Sequence, residues 1–305
     1  MNRILVIRGG AIGDFVLTLP AIKLLRDAFP QARLELLGYK HIAALAERRF
    51  YVDVVRSIEA GNLARFFAKD AELPEEWAAY FHGFDFVVSF LFDPDQIFQR
   101  NLQRCGVETF LACSPKISEG EPATVQLARP LAALDLFLTD PAPKLFPSEA
   151  DRSFARASFP QEGMIALHPG SGSESKNWPV ENWIALLDHL APRSETRFLI
   201  VGGEADGLEL AAFRAWSQNR VNFATNLPLP HLAAAVERCA LFLGHDSGIS
   251  HIAAAVGTRS MLLFGPTDPA VWAPQNPNVK VLRAPDGRMA NLALADVVRL
   301  ATTAI

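Results

Sequence analysis

The chain is short of cysteine and of positive charge. Its 305 residues include three cysteines, Cys105, Cys113 and Cys239, without CxxC spacing. Scattered thiols of this kind are typical of reduced cysteines in the cytoplasm and argue against a disulfide framework or a metal site. Acidic residues outnumber basic ones by 33 to 29, giving a formal net charge of −4. Because nucleic-acid binding requires a basic surface, this balance argues against a nucleic-acid partner.

Long apolar runs are also missing. No run approaches the roughly 18 residues that a membrane-spanning helix needs, and the apolar stretch 4–7 is too short for a signal peptide. These absences predict a cytoplasmic protein. Hydrophobic residues make up 50% of the sequence and charged ones 20%, which is ordinary for a globular protein. The length leaves room for two domains, each with its own core.

Short apolar runs alternate with helical patterns along the chain, which predicts an α/β fold with doubly wound parallel sheets. A helix is expected over 15–29, and Pro20 should kink or restart it. A second helix is expected over 41–49. The stretch 63–69, with Trp77 nearby, could touch a lipid-linked acceptor, although core packing is the preferred interpretation.

A proline-rich stretch, 139–152, interrupts the periodicity and is interpreted as an interdomain linker. It divides the chain into 1–145 and 146–305, two Rossmann-like domains expected to face each other across a cleft. The terminal helix, near 291–304, could pack back on the first domain.

Three glycine-containing turns follow predicted strands in the second half, in "ALHPGSGSESKNWP", "VGGEAD" and "LGHDSGISH". In open α/β sheets ligands gather at the carboxyl ends of strands, and helix N-termini there suit a pyrophosphate. The candidate residues in these turns are Gly170, Ser171, Gly172, Lys176, Glu204, Asp246, Ser247, Gly248 and His251.

Each of these residues also has a structural interpretation. Asp246 or Ser247 could simply cap a helix, and that role is favoured for either one taken alone. His251 lies in an apolar helical pattern and could be a hydrogen-bonded core histidine. Lys176 could be a solvated loop lysine, and Glu204 could cap the next helix. The functional interpretation gains weight because all three turns should open onto the same cleft.

The first turn, "RGGAIGD", is not a dinucleotide fingerprint. Gly10 and Gly13 match the last two glycines of GxGxxG, but Arg8 occupies the first position. The second strand also lacks the acidic residue that would hold a ribose, so NAD is a weak alternative. A carboxylate, Asp14, lies instead where a helix should begin.

These motifs together resemble glycosyltransferase family nine, the ADP-heptose:lipopolysaccharide heptosyltransferases. The opening "ILVIRGGAIGDFVLTLPAI" is similar to that family's N-terminal signature, and "HPGSGSESKNWPVENW", "VGGEAD" and "GHDSGISHIAAAVGTRSMLLFGPTDP" are similar to its donor site. The resemblance spans nearly the whole chain. It implies the GT-B architecture, with the acceptor bound by the first domain and the nucleotide-sugar by the second. It also implies an inverting glycosyl transfer without a metal or other cofactor.

The resemblance implies a role for each candidate. Asp14 is expected to be the general base, with its negative charge favoured by the helix dipole. Lys176 and the turns around Ser171 and Ser247 would stabilise the leaving diphosphate. Glu204 would contact the nucleoside, Asp246 would orient the donor sugar or the turn, and His251 would lie near the diphosphate. Arg8 would face the acceptor, and Gly10 and Gly13 would allow close approach.

The acceptor half departs from the family pattern. The segment "LFDPDQ" is acidic, and "EPATVQLARPL" lacks the basic run expected for an anionic acceptor. The predicted partners are therefore a nucleotide-sugar and a glycan or lipid-linked glycan, which could be met at the inner membrane surface. Two alternatives stay open: a nucleotide-sugar epimerase or hydrolase on the same architecture, and a nucleotide-binding homologue without catalysis.

Overall fold

The computed structural model describes residues 2–191, 196–216 and 220–304. The chain divides into two compact units, Met1–Pro141 and Ala142–Ile305. This division falls four residues before the 145/146 boundary that the sequence suggests. The assignment of acceptor and nucleotide-sugar binding to the two domains stays a prediction.

The first unit is built on one parallel sheet in its described part, with strand order β3-β2-β1-β4-β5. Its strands are β1 (Arg3–Arg8), β2 (Arg33–Gly38), β3 (Val54–Ser57), β4 (Phe86–Ser89) and β5 (Phe110–Ala112). Its helices are α1 (Ile12–Ala28), α2 (Lys40–Ala43), α3 (Glu75–His82), α4 (Ile97–Arg104) and α5 (Ala123–Ala128), with 3₁₀ turns at Gly61–Phe67 and Arg129–Leu134.

Both faces of the first sheet are covered. On β1, Leu5 and Ile7 join a core with residues of α3 and α4, while the alternate residues Ile4 and Val6 are equally buried. Continuous burial along a strand is expected when helices cover both faces of a parallel sheet. Trp77 belongs to this core, as do Leu63 and Phe66 of the preceding turn, which agrees with the core-packing interpretation of that stretch.

One helix prediction in the first unit is confirmed and one is wrong. The helix expected over 15–29 is α1, which continues through Pro20 without a restart. Phe15–Ile22 are all buried, so packing on all sides compensates for the missing N–H. The helix expected over 41–49 is limited to the four residues of α2, since Glu47 pairs instead with Val52 in a β-bridge.

The second unit repeats the architecture in its described part, with strand order β11-β10-β9-β6-β7-β8, all parallel. Its strands are β6 (Ile165–His168), β7 (Phe198–Gly202), β8 (Val221–Thr225), β9 (Leu241–His245), β10 (Ser260–Phe264) and β11 (Val279–Arg283). Its helices are α6 (Glu149–Ser158), α7 (Val180–Leu190), α8 (Gly207–Trp216), α9 (Leu229–Glu237), α10 (Gly248–Ala255), α11 (Pro269–Trp272) and α12 (Leu294–Ala304), with 3₁₀ turns at Glu174–Lys176, Glu204–Asp206 and Met289–Asn291.

Two apolar cores flank the second sheet. Alternate strand residues such as Leu167 and Ala166 belong to different cores, as the period of two in a strand requires. The terminal helix α12 contributes Val297, Ala301 and other residues to the core that also contains α7 and α8. This burial explains its amphipathic sequence pattern.

The linker expected over 139–152 is too long. α6 begins at Glu149, and the Ser148 side chain caps it by accepting a hydrogen bond from the Asp151 amide. A serine followed three residues later by an acidic residue is a helix-start signal.

Candidate active site

The three glycine-containing turns of the second unit follow neighbouring strands. β6 lies between β7 and β9, so the turns after these strands lie side by side at the carboxyl edge of the sheet. The chain runs outward from β6 through β7 and β8, then returns to the other side of β6 with β9. This reversal is the topological switch point, the usual place for a ligand in an open α/β sheet.

Lys176 and Asp246 form an ion pair at this switch point. The Lys176 Nζ lies 2.7 Å from Asp246 Oδ2, which also accepts a 2.8 Å hydrogen bond from the Thr267 hydroxyl. His251 Nε2 lies 4.0 Å from the other carboxylate oxygen of Asp246. Asp246 is 8% exposed and Lys176 is 28% exposed. The lysine is therefore held in place by a buried carboxylate while part of it stays open to solvent.

The helix α10 begins beside this pair. Ser247 is its N-cap and accepts a hydrogen bond from the Ser250 amide, so the capping interpretation holds for this residue. The Ser247 hydroxyl also lies 3.2 Å from Nδ1 of the buried His168. Gly248 is the first residue of the helix. Backbone N–H groups of this first turn lack partners within the helix and favour an anion.

Asp206 is a buried carboxylate that sequence analysis missed. Its Oδ2 accepts a 2.7 Å hydrogen bond from the Gly203 amide and lies 3.6 Å from His168 Nε2. Burial by itself would raise the pKa of Asp206, but the His168 and Gly203 contacts outweigh it and hold that pKa below its ordinary value. Glu204, the candidate taken from the same turn, is exposed.

The turn after β6 is organised by its own contacts. A Cβ on Gly170 would lie 1.7 Å from Asp206 Oδ1, so glycine is required there because the carboxylate packs against its Cα. The Ser171 hydroxyl is within hydrogen-bond distance of the Ser173 carbonyl and of Asn177 Oδ1. It therefore shapes the loop directly. Gly172 lies in open space.

His245 is a second residue that sequence analysis missed. It is fully buried at the end of β9, and its Nε2 accepts a 2.8 Å hydrogen bond from the Trp178 amide. Burial lowers its pKa to about 3, so the ring is neutral and Nδ1 carries the proton, facing the Gly170 carbonyl at 3.4 Å. The histidine thus joins both ends of the loop that carries Lys176. The only sequence signal was its place as the last residue of a strand.

In the first unit, Asp14 lies in the first turn of α1. Its Oδ2 accepts a 2.9 Å hydrogen bond from the Ala11 amide, and its side chain is 39% exposed. Its Oδ1 lies 3.8 Å from the Arg8 guanidinium. One oxygen thus binds the first turn of the helix, while the other faces Arg8, and the general-base role stays a prediction.

Arg8 lies under Asp14. Its guanidinium is almost fully buried and donates hydrogen bonds to the Thr18 hydroxyl and to the carbonyls of Phe90 and Asp14. Burial lowers the pKa of Arg8 below its ordinary value, while the Asp14 carboxylate opposes that shift. The side chain expected to face an acceptor is therefore turned inward, where it supports Asp14.

The glycines of the first turn differ in their surroundings. Gly10 has a φ of +96°, and a Cβ there would lie 2.8 Å from Asp14 Oδ2. Glycine is therefore needed both for the backbone conformation and for the carboxylate. Gly13 is the second residue of α1 and is half-buried.

Two kinds of feature are absent from the described residues. No group of three or more histidine, cysteine or acidic side chains is placed to hold a metal ion. Within the same ranges, no helix is long and apolar enough to cross a membrane.

Comparisons with known proteins agree with this architecture. Lipopolysaccharide heptosyltransferase 3 of Escherichia coli (strain K12) is 24% identical over 300 residues, covering 88% of this chain and 83% of the relative. A crystal structure of a family 9 glycosyl transferase from Veillonella parvula aligns with a TM-score of 0.82 at 18% identity, covering 99% and 97% of the two chains. The E. coli ADP-heptose lps heptosyltransferase II aligns with a TM-score of 0.79 at 14% identity, covering 100% and 98%.

The two parallel sheets and these structural likenesses show an α/β protein with the GT-B fold, which confirms the predicted fold class. The sequence model of glycosyltransferase family 9 (heptosyltransferase) matches residues 102–299, more than half of the chain. The chain belongs to this family, and the resemblance seen in its motifs is confirmed. It is a glycosyltransferase.

Proposed function

We propose that this chain transfers a heptosyl group from ADP-heptose to a hydroxyl group of a lipopolysaccharide-core or related glycan, with inversion and without a metal ion. Family membership and the relatives named for heptosyl transfer support the reaction class. The observation that carries the proposal is the Lys176–Asp246 pair beside the N-terminus of α10. Cytoplasmic location and contact with the inner membrane stay predictions.

The donor diphosphate would be held by this pair and the adjoining helix. Lys176 supplies an ammonium group, and Asp246 with Thr267 fixes its position. The first turn of α10 supplies backbone N–H groups and the positive end of a dipole. Preorganised donors of this kind can stabilise the charge that develops on a leaving ADP without a metal ion.

Asp14 would accept the proton of the attacking hydroxyl. In this step the acceptor oxygen forms a bond to the anomeric carbon, the bond from that carbon to the diphosphate oxygen breaks, and ADP leaves with the bonding electrons. The proton passes to the Asp14 oxygen that does not cap α1. Arg8 supports the carboxylate from below through buried hydrogen bonds. The roles of the remaining candidates, Glu204 and His251 among them, stay predictions.

The test combines ADP binding with turnover. ADP should raise the melting temperature in the presence of EDTA, because a ligand at about 100 times its Kd increases the free energy of unfolding by roughly 2.7 kcal/mol. Lys176→Ala should lower turnover by about a hundredfold, the scale of one preorganised donor. Lys280→Ala, at an exposed lysine of β11 in the same unit, is the matched control.

The products separate the proposal from its alternatives. A new glycoside that forms only when an acceptor is added supports the transferase. Conversion of the donor without an acceptor, or release of free sugar as the main product, would favour an epimerase or hydrolase. ADP binding without any turnover would favour the non-catalytic homologue. A strict need for a divalent ion would contradict the proposed metal-independent chemistry.

A further inference from the structure

A cavity of about 270 Å³ opens in the first unit at the carboxyl ends of β4 and β5. Its lining combines one exposed aromatic ring with carboxylate and amide groups. The lining includes Leu91, Phe92, Asp93, Gln96, Gln99 and Phe110. Ligands of open α/β sheets bind at this edge.

The cavity adjoins the turn that carries Asp14. Arg8, at the end of β1, donates a hydrogen bond to the carbonyl of Phe90, the residue after β4. The Cα of Gly9 faces Leu91, so that a Cβ there would lie 3.6 Å from the leucine methyl. β1 and β4 are neighbouring strands. A molecule in the cavity therefore lies next to the same turn as the proposed base.

Some polar side chains of the cavity have no hydrogen bond within the described residues, although the Ser89 and Ser114 hydroxyls each accept one from a nearby backbone amide. Within 2–191, 196–216 and 220–304, the side-chain amides of Gln96 and Gln99 make no hydrogen bonds. Asp93 uses one carboxylate oxygen, which accepts a hydrogen bond from the backbone N–H of Gln99 at 2.9 Å. Gln96 also has a φ of +55°, a conformation that costs energy for a residue other than glycine. Uncommitted amide and carboxylate groups can both donate to and accept from hydroxyl groups.

Phe92 adds an apolar surface to this polar set. Its side chain is 58% exposed. The ammonium of Lys116 lies 4.2 Å from the ring centroid and holds the ring from one side. The exposed ring surface can stack against the C–H groups of a sugar.

The charge of the lining argues against an anionic ligand. Among the described residues that line the cavity, Asp93 is the one with a formal charge, and that charge is negative. Lys116 is the cation beside the ring and is outside the lining. A carboxylate or phosphate on the ligand would meet like charge in the cavity without a lining cation to offset it.

We infer that this cavity is the acceptor subsite and that it selects a neutral sugar ring, stacked on Phe92 and hydrogen-bonded to Asp93, Gln96 and Gln99, over an acidic or phosphorylated one. The inference rests on the proposed function and names the acceptor class that it uses. It also gives the acidic "LFDPDQ" segment a role, because that segment supplies the selectivity.

The test compares two probes that differ by one phosphate group: a methyl heptoside and the same heptoside carrying a phosphate monoester. Saturation-transfer NMR and titration should show the neutral heptoside binding at least about tenfold more tightly. Phe92→Ala should weaken that binding by about tenfold or more, the scale of a lost stacking contact. Phe137→Ala, at another exposed phenylalanine of the same unit, should leave it unchanged.

Asp93→Asn tests the selectivity directly. Asparagine keeps an oxygen that can accept from the Gln99 amide but removes the negative charge, so the preference for the neutral heptoside should shrink. Equal or tighter binding of the phosphorylated probe by the wild-type protein would overturn the inference. A loss of phosphoester binding in Lys116→Gln would also overturn it, because that result would assign the cavity to an anion. Binding of neither probe, or binding insensitive to Phe92, would also overturn it.

ADP binding and transfer are measured on the same samples, so a failure of the acceptor-subsite inference can be distinguished from a failure of the proposed function. Normal ADP-dependent stabilisation and transfer, with heptoside binding that does not depend on Phe92, would overturn the acceptor subsite alone. Absence of transfer from ADP-heptose, with Phe92-dependent binding of the neutral heptoside intact, would overturn the proposed function and leave a neutral-sugar site.

Discussion

Asp14→Asn separates the structural role of this residue from its proposed chemical role. The carboxylate does two things at once: Oδ2 accepts a hydrogen bond from the Ala11 amide, and Oδ1 faces the Arg8 guanidinium at 3.8 Å. Asparagine keeps an oxygen for the Ala11 amide, just as glutamine can replace glutamate at the third position of a capping box. It cannot accept the proton of an attacking hydroxyl.

The cost in stability should be small. The Asp14 side chain is 39% exposed, so its attraction to Arg8 is screened by solvent and contributes well under about 1 kcal/mol. Arg8 also keeps its hydrogen bonds to Thr18 and to two backbone carbonyls, so no buried donor is orphaned. At about 2–4 °C per kcal/mol, the melting temperature should fall by no more than a few degrees.

The cost in activity should be large, about 10² to 10⁴ in transfer rate, which is the usual contribution of general-base catalysis. The assay measures ADP release with donor and acceptor present, together with ADP affinity and thermal melting. Asp27→Asn, at the other end of α1, is the matched control because Asp27 is also exposed and pairs with Lys23. Transfer by Asp14→Asn within tenfold of wild type would refute the base role, and a melting temperature lowered by ten degrees would refute the capping argument.

Three further outcomes are expected. Gly170→Ala should destabilise the protein by about 1–3 kcal/mol, because its Cβ would lie 1.7 Å from Asp206 Oδ1, whereas Gly172→Ala, in open space, should be neutral by urea unfolding. Burial lowers the pKa of His245 to about 3, against about 6.5 for an unfolded histidine. The free energy of unfolding should therefore be unaffected by this group above pH 6.5 and should fall as the pH drops from 6.5 toward 3, by on the order of 1 kcal/mol per pH unit. The fall should be shallower in His245→Gln. Cys105 should react first with a thiol reagent at pH 8. Burial raises the pKa of all three thiols, but Cys113 and Cys239 are buried with pKa values of about 12, whereas Cys105 is only partly buried; faster labelling of a buried cysteine would contradict this.

The sequence by itself determined the fold class and the family. Both faces of these parallel sheets are covered, so their buried strands are continuous apolar runs, such as 3–8 and 241–245, without alternating polar residues. Such runs can be recognised from the local sequence. Glycine-containing turns after such strands mark the ligand edge, because strand direction places them there. Less apolar strands, such as Val221–Thr225 and Val279–Arg283, gave too little signal to be identified.

The tertiary structure alone decided which side chains support the site. Asp206 and His168 meet only because β6 and β7 are neighbours, and His245 reaches the Lys176 loop only because β9 lies on the other side of β6. The same limit applies to Arg8, whose basic character was visible but whose burial under Asp14 depends on α1 and the residue after β4. Most of these contacts join residues far apart in sequence. A local sequence pattern shows which side chain is present, but its partner depends on the order of the strands in the sheet.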